Sequence, residues 1–241
     1  ETLTVSGKID RISGGYNDMN PSVHSPVRSS EAIFATNRVL KNTYILLSMT
    51  LIFSALMAAL SVFVQVSPGT SLVCMIASIA CLWFVLPRTA NSLAGLPVTF
   101  LITGLLGFAL GPMLTNYLAL ENGPQLIGTA LGGTGAIFLA LSGYVLMTRK
   151  DFSFLGGFLF VGFVVVILAA VGNIFFAIPA LSLAISAAII FIMSGFILFD
   201  TSRVIHGGET NYIMATIQLY LNIFNIFVHL LAILGIMGGD D

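Results

Sequence analysis

Seven apolar stretches separated by short polar links occupy this chain from residue 44 to residue 236. Each is close to the length a helix needs to cross a bilayer. A span takes about 20 mostly apolar residues, because a helix rises about 1.5 Å per residue and the hydrocarbon core is roughly 30 Å thick. The stretches are 44–66, 71–86, 96–118, 125–147, 154–177, 180–201 and 212–236; the second reaches span length only if it begins near Pro68. The links carry the helix breakers, among them Ser67-Pro68-Gly69, Glu121-Asn122-Gly123-Pro124 and Ile178-Pro179. Links this short make consecutive helices antiparallel neighbours. With 8% charged and 57% hydrophobic residues, the chain has too few charges to cover a soluble domain of its length. The predicted fold class is an all-α membrane protein, a single bundle of seven transmembrane helices.

Threading the stretches back and forth places all nine Lys and Arg residues on one side. Lys8, Arg11, Arg28, Arg38 and Lys41 precede the first span; Arg88 follows the second, Arg149 and Lys150 the fourth, and Arg203 the sixth. The opposite links hold only Glu121 and the terminal Asp240-Asp241. Cytoplasmic loops retain Lys and Arg, so the amino terminus is expected inside and the carboxyl terminus outside. A formal net charge of -1, with no basic patch beyond those flanks, offers nothing to nucleic acid. Cys74 and Cys81, about 10 Å apart along one helix, are too distant to bridge and read as packing residues.

Residues 1–43 are expected to form an amino-terminal cytoplasmic tail, and 44–239 the transmembrane domain. Up to about Ser30 the tail is rich in Ser, Gly, Asn and Pro and reads as disordered. It lacks the apolar core of a signal peptide. Met19, followed by Asn20-Pro21-Ser22, reads as a native start, so residues 1–18 are taken as non-native or an upstream extension. Residues 30–42 can form a short amphipathic helix, capped by Ser29 or Ser30, with Ile33, Phe34, Val39 and Leu40 toward the membrane; an ordinary helical lead-in to the first span is the simpler reading, a regulatory element the other. Within the bundle, Gly104, Gly107 and Gly111, then Gly128 and Gly132, then Ser182 and Ser186 are expected where helices approach closely. The run Gly132-Gly133-Thr134-Gly135 superficially resembles a phosphate-binding loop, but it has no strand before it and no Lys after it.

The last span is the most distinctive. Asn211, Gln218, Asn222, Asn225 and His229 are spaced by seven, four, three and four residues. At 100° per residue they share an arc of roughly 60° on one helix face. Polar side chains avoid lipid tails, so the helix is expected to turn this stripe inward and to lie centrally. The stripe could hold helices together through hydrogen bonds or line a hydrated path, and both readings stand at this point. Asp200, at the end of the sixth apolar run, is either an interfacial acid paired with Arg203 at i, i+3 or a functional intramembrane carboxylate. Glu209 reads as a solvated loop acid. No metalloprotease helix motif, paired-cysteine motif or serine elbow is present, so the chain does not read as an enzyme, and it calls for no cofactor or metal.

Three segments carry a family likeness. Ile197-Leu198-Phe199-Asp200-Thr201-Ser202, then Gly207-Gly208-Glu209-Thr210-Asn211-Tyr212-Ile213, then Leu219-Tyr220-Leu221-Asn222-Ile223-Phe224-Asn225-Ile226-Phe227 with Leu231-Ala232-Ile233-Leu234-Gly235 resemble the carboxyl-terminal signature of the Bax inhibitor-1 family. The resemblance extends from Arg38 onward. Leu40-Lys41-Asn42-Thr43-Tyr44 and Thr148-Arg149-Lys150-Asp151-Phe152-Ser153 are similar to the proteobacterial branch. The resemblance implies seven helices with the last in the middle, a location in the bacterial inner membrane, and a partner, the ATP-dependent membrane protease FtsH, which that branch binds and modulates. Other members are pH-sensitive calcium leaks in which an Asp on the sixth helix pairs with an Asp on the seventh. Asp200 matches the first, whereas the second position falls on Asn222. Without two like charges there is no shared proton, which weakens the calcium reading here.

Overall fold

The computed structural model describes the backbone of residues 26–238, and the side chains from residue 35 to residue 238. Of the tail expected to be disordered up to about Ser30, residues 1–25 lie outside the described residues, as do the side chains of Ile33 and Phe34; residues 26–30 are helical instead, so the helix begins at Pro26, ahead of the expected Ser29 or Ser30 cap. The chain divides into Glu1–Phe34 and Ala35–Asp241. Of the first unit, the described part is helical; the second holds seven helices long and apolar enough to span a membrane. They are α1 (Ala35–Phe63, the continuation of a helix that begins at Pro26), α2 (Pro68–Thr89), α3 (Gly95–Leu118), α4 (Gly123–Thr148), α5 (Leu155–Phe176), α6 (Pro179–Ile205) and α7 (Tyr212–Met237).

Proline and capping residues set where the helices begin. Pro68, Pro124 and Pro179 sit in the first turns of α2, α4 and α6, where a missing N–H costs nothing. Ser67 Oγ accepts from Thr70 N at 3.3 Å, and Asn211 Oδ1 accepts from Ile213 N at 2.8 Å and Met214 N at 3.2 Å, closing the amino ends of α2 and α7. Inside α2, Pro87 is accommodated by a π-helical turn over Cys81–Val85, which carries the helix to Thr89, three residues past the expected end. A break at Leu110, just before Pro112, divides α3 into Gly95–Ala109 and Gly111–Leu118. From residue 35 onward the helical lead-in runs into the first span as one helix, and α6 continues past residue 201 to Ile205.

The last helix is the centre of the bundle. No residue from Asn211 to Gly235 is exposed. Thr216 Oγ1 donates to Thr43 O of α1 at 3.2 Å, and Tyr220 OH pairs with Ser54 Oγ of α1 at 2.6 Å and donates to Thr103 O of α3 at 3.2 Å. Phe227 and Leu231 share an apolar cluster with Ala130 of α4, and Ile226 shares another with Ile192, Met193 and Ile197 of α6. By contrast α2, packed on α3, and α5, packed on α6, keep most of their length exposed. Bands of Leu, Val, Ile and Phe on their outer faces match an acyl-chain environment.

Close approach of α1 and α3 depends on missing side chains, as expected. A Cβ on Gly107 would lie 2.2 Å from Ser54 O, and one on Gly111 1.9 Å from Ser61 Oγ. The expectation for α4 is corrected: a Cβ on Gly128 or Gly132 would meet nothing within 4 Å, so these glycines face outward rather than into a helix contact. Ser182 and Ser186 are used, but for hydrogen bonds to Asn173 and His229. The contrast sets up a paired test. Gly107→Ala, which drives a methyl into a backbone carbonyl, is expected to destabilise the purified protein by about 1–3 kcal/mol in detergent unfolding, whereas Gly132→Ala is expected to be neutral or stabilising by up to about 1 kcal/mol. Equal behaviour of the two variants would contradict the packing described.

Candidate functional site

Asp200 and Asn222 form a buried polar pair between α6 and α7. Asp200 Oδ2 accepts from Asn222 Nδ2 at 2.8 Å, and both residues are 6% exposed. The extension of α6 puts Asp200 more than a turn inside the helix, and the central position of α7 turns Asn222 to meet it. The interfacial pairing of Asp200 with Arg203 does not form. Arg203 Nη2 turns to Gly208 O at 3.2 Å and Glu209 Oε2 at 3.7 Å, and its guanidinium lies 5.5 Å from the centre of the Phe199 ring. The cause is the turn after α6: Gly207 takes φ +75°, and the N–H groups of Gly208 and Glu209 fold back to Arg203 O at 2.8 and 3.2 Å. Glu209 is therefore not the solvated acid expected, since it also accepts from Asn211 N at 2.9 Å.

Beside Asp200, Thr201 Oγ1 is buried with no hydrogen-bond partner among the described residues, a polar atom whose desolvation costs on the order of 1–3 kcal/mol. The opposite end of the α6–α7 contact carries a second polar pair, His229 Nδ1 with Ser186 Oγ at 3.2 Å. Between the two pairs along the helices come Met193, Ile197 and Ile226, all buried and in one apolar cluster. Toward α6, the stripe on α7 thus makes two separate polar contacts with an apolar layer between them.

Its remaining members are distributed differently. Asn211 caps the helix and donates to Ala90 O at 2.9 Å and Asn91 Oδ1 at 2.7 Å, fastening α7 to the α2–α3 link. Asn225 Nδ2 donates to Leu221 O of its own helix at 2.8 Å, and Gln218 makes no side-chain hydrogen bond among the described residues. Tyr220, with Ser54 and Thr103, is a polar cluster that sequence reasoning misses. It lies on the side of α7 opposite the stripe, and its one signal is a tyrosine well inside a span, away from the membrane interface where tyrosine usually sits. Tyr220 and Ser54 also line a mostly apolar cleft of about 560 Å³ between α1, α3, α4 and α7. Among the described residues, no three His, Cys, Asp or Glu side chains gather closely enough to hold a metal ion.

Comparison with known proteins gives this architecture a family. The family model described as inhibitor of apoptosis-promoting Bax1 matches residues 36–239. An uncharacterised membrane protein of Vibrio cholerae is 52% identical over 223 residues, which cover 92% of this chain and 100% of that protein. The modulator of FtsH protease YccA of Escherichia coli K12 is 50% identical over 209 residues, 87% of this chain and 94% of that protein. The counterpart in Escherichia coli O6:H1, similar to the same degree, is named inner membrane protein YccA. The chain belongs to the Bax inhibitor-1 family and is a multi-pass protein of the bacterial inner membrane.

Proposed function

We propose that this protein binds the ATP-dependent membrane protease FtsH and modulates its action on other membrane proteins. The observation that carries the reading is the 50% identity, over nearly the full length of both chains, to a protein named as a modulator of that protease. The fold adds a physical reason. A helix enclosed by its neighbours and hydrogen-bonded to α1, α3 and α6 resists extraction, so an unfolding motor that engages this chain is held up at the bundle. The grip would fall on the polar segment ahead of α1, rich in Ser, Gly, Asn and Pro, for which the distribution of Lys and Arg favours the cytoplasm. FtsH is expected among the proteins that copurify from native membranes, detected by mass spectrometry. Deleting residues 19–35 is expected to abolish degradation of the protein by FtsH; unchanged turnover would refute the grip.

A second reading, a proton-modulated calcium or cation leak, draws on the buried Asp200–Asn222 pair. Any such path would have to part α6 from α7 at Ile197 and Ile226, which close the space between the two polar contacts. The leak reading expects calcium flux from liposomes holding the purified protein, a pH dependence altered by Asp200→Asn, and a stronger one in Asn222→Asp. Zero flux at every pH would remove it.

A further inference from the structure

The cleft between α1, α3, α4 and α7 reaches the central helix from the side. At one end α1 and α4 touch: Tyr44 OH bonds Ser142 Oγ, and the Tyr44 and Phe138 rings lie 6.2 Å apart. Beyond that contact their facing sides line the cleft of about 560 Å³ instead, from Leu51 to Val62 on α1 and from Ile127 to Gly135 on α4. Ala55, Ala59 and Leu131 line it and are also exposed, and a Cβ on Gly135 would meet nothing within 4 Å. The mouth therefore opens sideways between the two helices. Ile223, Phe224 and Phe227 of α7 line its inner side.

From Leu51 to Val62 the helix rises about 16 Å, half of a hydrocarbon core roughly 30 Å thick. That is the depth of one leaflet, on the side away from Arg38 and Lys41. The wall is mostly apolar, and the three hydroxyls on it are already committed. Tyr220 OH donates to Thr103 O at 3.2 Å, which makes Ser54 the donor in their 2.6 Å pair, and Thr134 Oγ1 donates to Ala130 O at 2.7 Å. No hydroxyl proton is left for a polar guest, and water is poorly served by a wall that offers it a few acceptors only. Left empty, the wall would forfeit its van der Waals contacts on one side. A hydrocarbon chain restores them and requires no hydrogen bond. At the outer end, Glu121 follows Leu118 of the lining closely in sequence, and no link on that side of the bundle contains Lys or Arg. A headgroup that carries an ammonium suits such a rim better than one of net negative charge.

We propose that this cleft is a lipid site, which seats one acyl chain of a zwitterionic phospholipid from the leaflet opposite the Lys and Arg links. The chain enters between Ala55 and Ala59 on one edge and Leu131 and Gly135 on the other, and it packs against Phe224. Its headgroup stays at the rim on the Glu121 side. Seated there, the chain completes the packing around α7 on the face away from Asn222 and His229, where the bundle itself leaves a gap. It is thus part of the bundle's packing rather than of the surrounding bilayer.

The test uses the full-length protein in phosphatidylcholine liposomes doped with a phosphatidylethanolamine that carries a diazirine near the end of one acyl chain. After illumination, the labelled residues are mapped by mass spectrometry. Labels are expected on Ile223, Phe224 or Phe227 of the enclosed α7 as well as on Leu168, which is exposed on α5. Ala59→Phe and Gly135→Phe plug the mouth from opposite edges. Each should cut α7 labelling roughly ten-fold, the factor that about 1.4 kcal/mol of lost packing produces, and leave Leu168 labelling unchanged. The same probe built on phosphatidylglycerol should label α7 less. An unlabelled α7 beside a labelled α5, whether the cleft has closed or a second copy covers it, would overturn the proposal. So would labelling that ignores both plugs, or stronger labelling by phosphatidylglycerol. Should one plug fail to fold, the other plug and the wild-type map still decide the matter.

Discussion

Enclosure of α7 is the constraint on which the other features depend. In a bilayer nothing outside the protein satisfies a polar side chain, so a helix bearing Gln218, Asn222, Asn225 and His229 on one face cannot lie at the periphery without a cost of several kcal/mol. Surrounding it with α1, α3, α4 and α6 removes that cost, and it also supplies partners at several levels: Ala90 and Asn91 at the start, Thr43, Thr103 and Asp200 along the middle, Ser186 further on. The close seam between α1 and α3 at Gly107 and Gly111 is what brings Ser54 and Thr103 together at Tyr220. The two outermost helices, α2 and α5, are then free to be almost wholly apolar.

Much of this was legible in the residues, for a physical reason. Hydrophobic length and loop charge are imposed by the bilayer itself, so the seven spans follow from hydropathy, and the inward turn of α7 follows from the spacing of its amides. Proline positions mark most helix starts, but a proline inside a helix misleads: Pro87 reads as the end of α2, and a π-helical turn absorbs it. The burial of Asp200 was half legible, because whether it lies at the interface depends on four more residues of helix, as far as Ile205, that hydropathy does not register.

What was not legible depends on partner choice. Arg203 is one turn from Asp200 in sequence, but the backward fold at Gly207 offers it Glu209 and a backbone carbonyl at the surface, where both charges keep some hydration. Glycines read the same whether they admit a neighbouring helix, as Gly107 does, or leave a smooth lipid-facing surface, as Gly128 and Gly132 do. A polar stripe likewise fixes a face but not its continuity, and the apolar layer of Ile197 and Ile226 emerges only when α6 is set beside α7. That layer separates the two polar contacts of the α6–α7 seam, Asp200 with Asn222 and Ser186 with His229.

The most direct measurement of the enclosure is a spin-label scan along α7 in lipid bilayers, reading collision with membrane-dissolved oxygen at each position from 213 to 235. Low accessibility along the polar face is the expected result, with any access confined to the cleft at Tyr220, Ile223, Phe224 and Phe227. A rise that includes positions 222 and 225 would place the polar face of α7 against acyl chains and contradict the account.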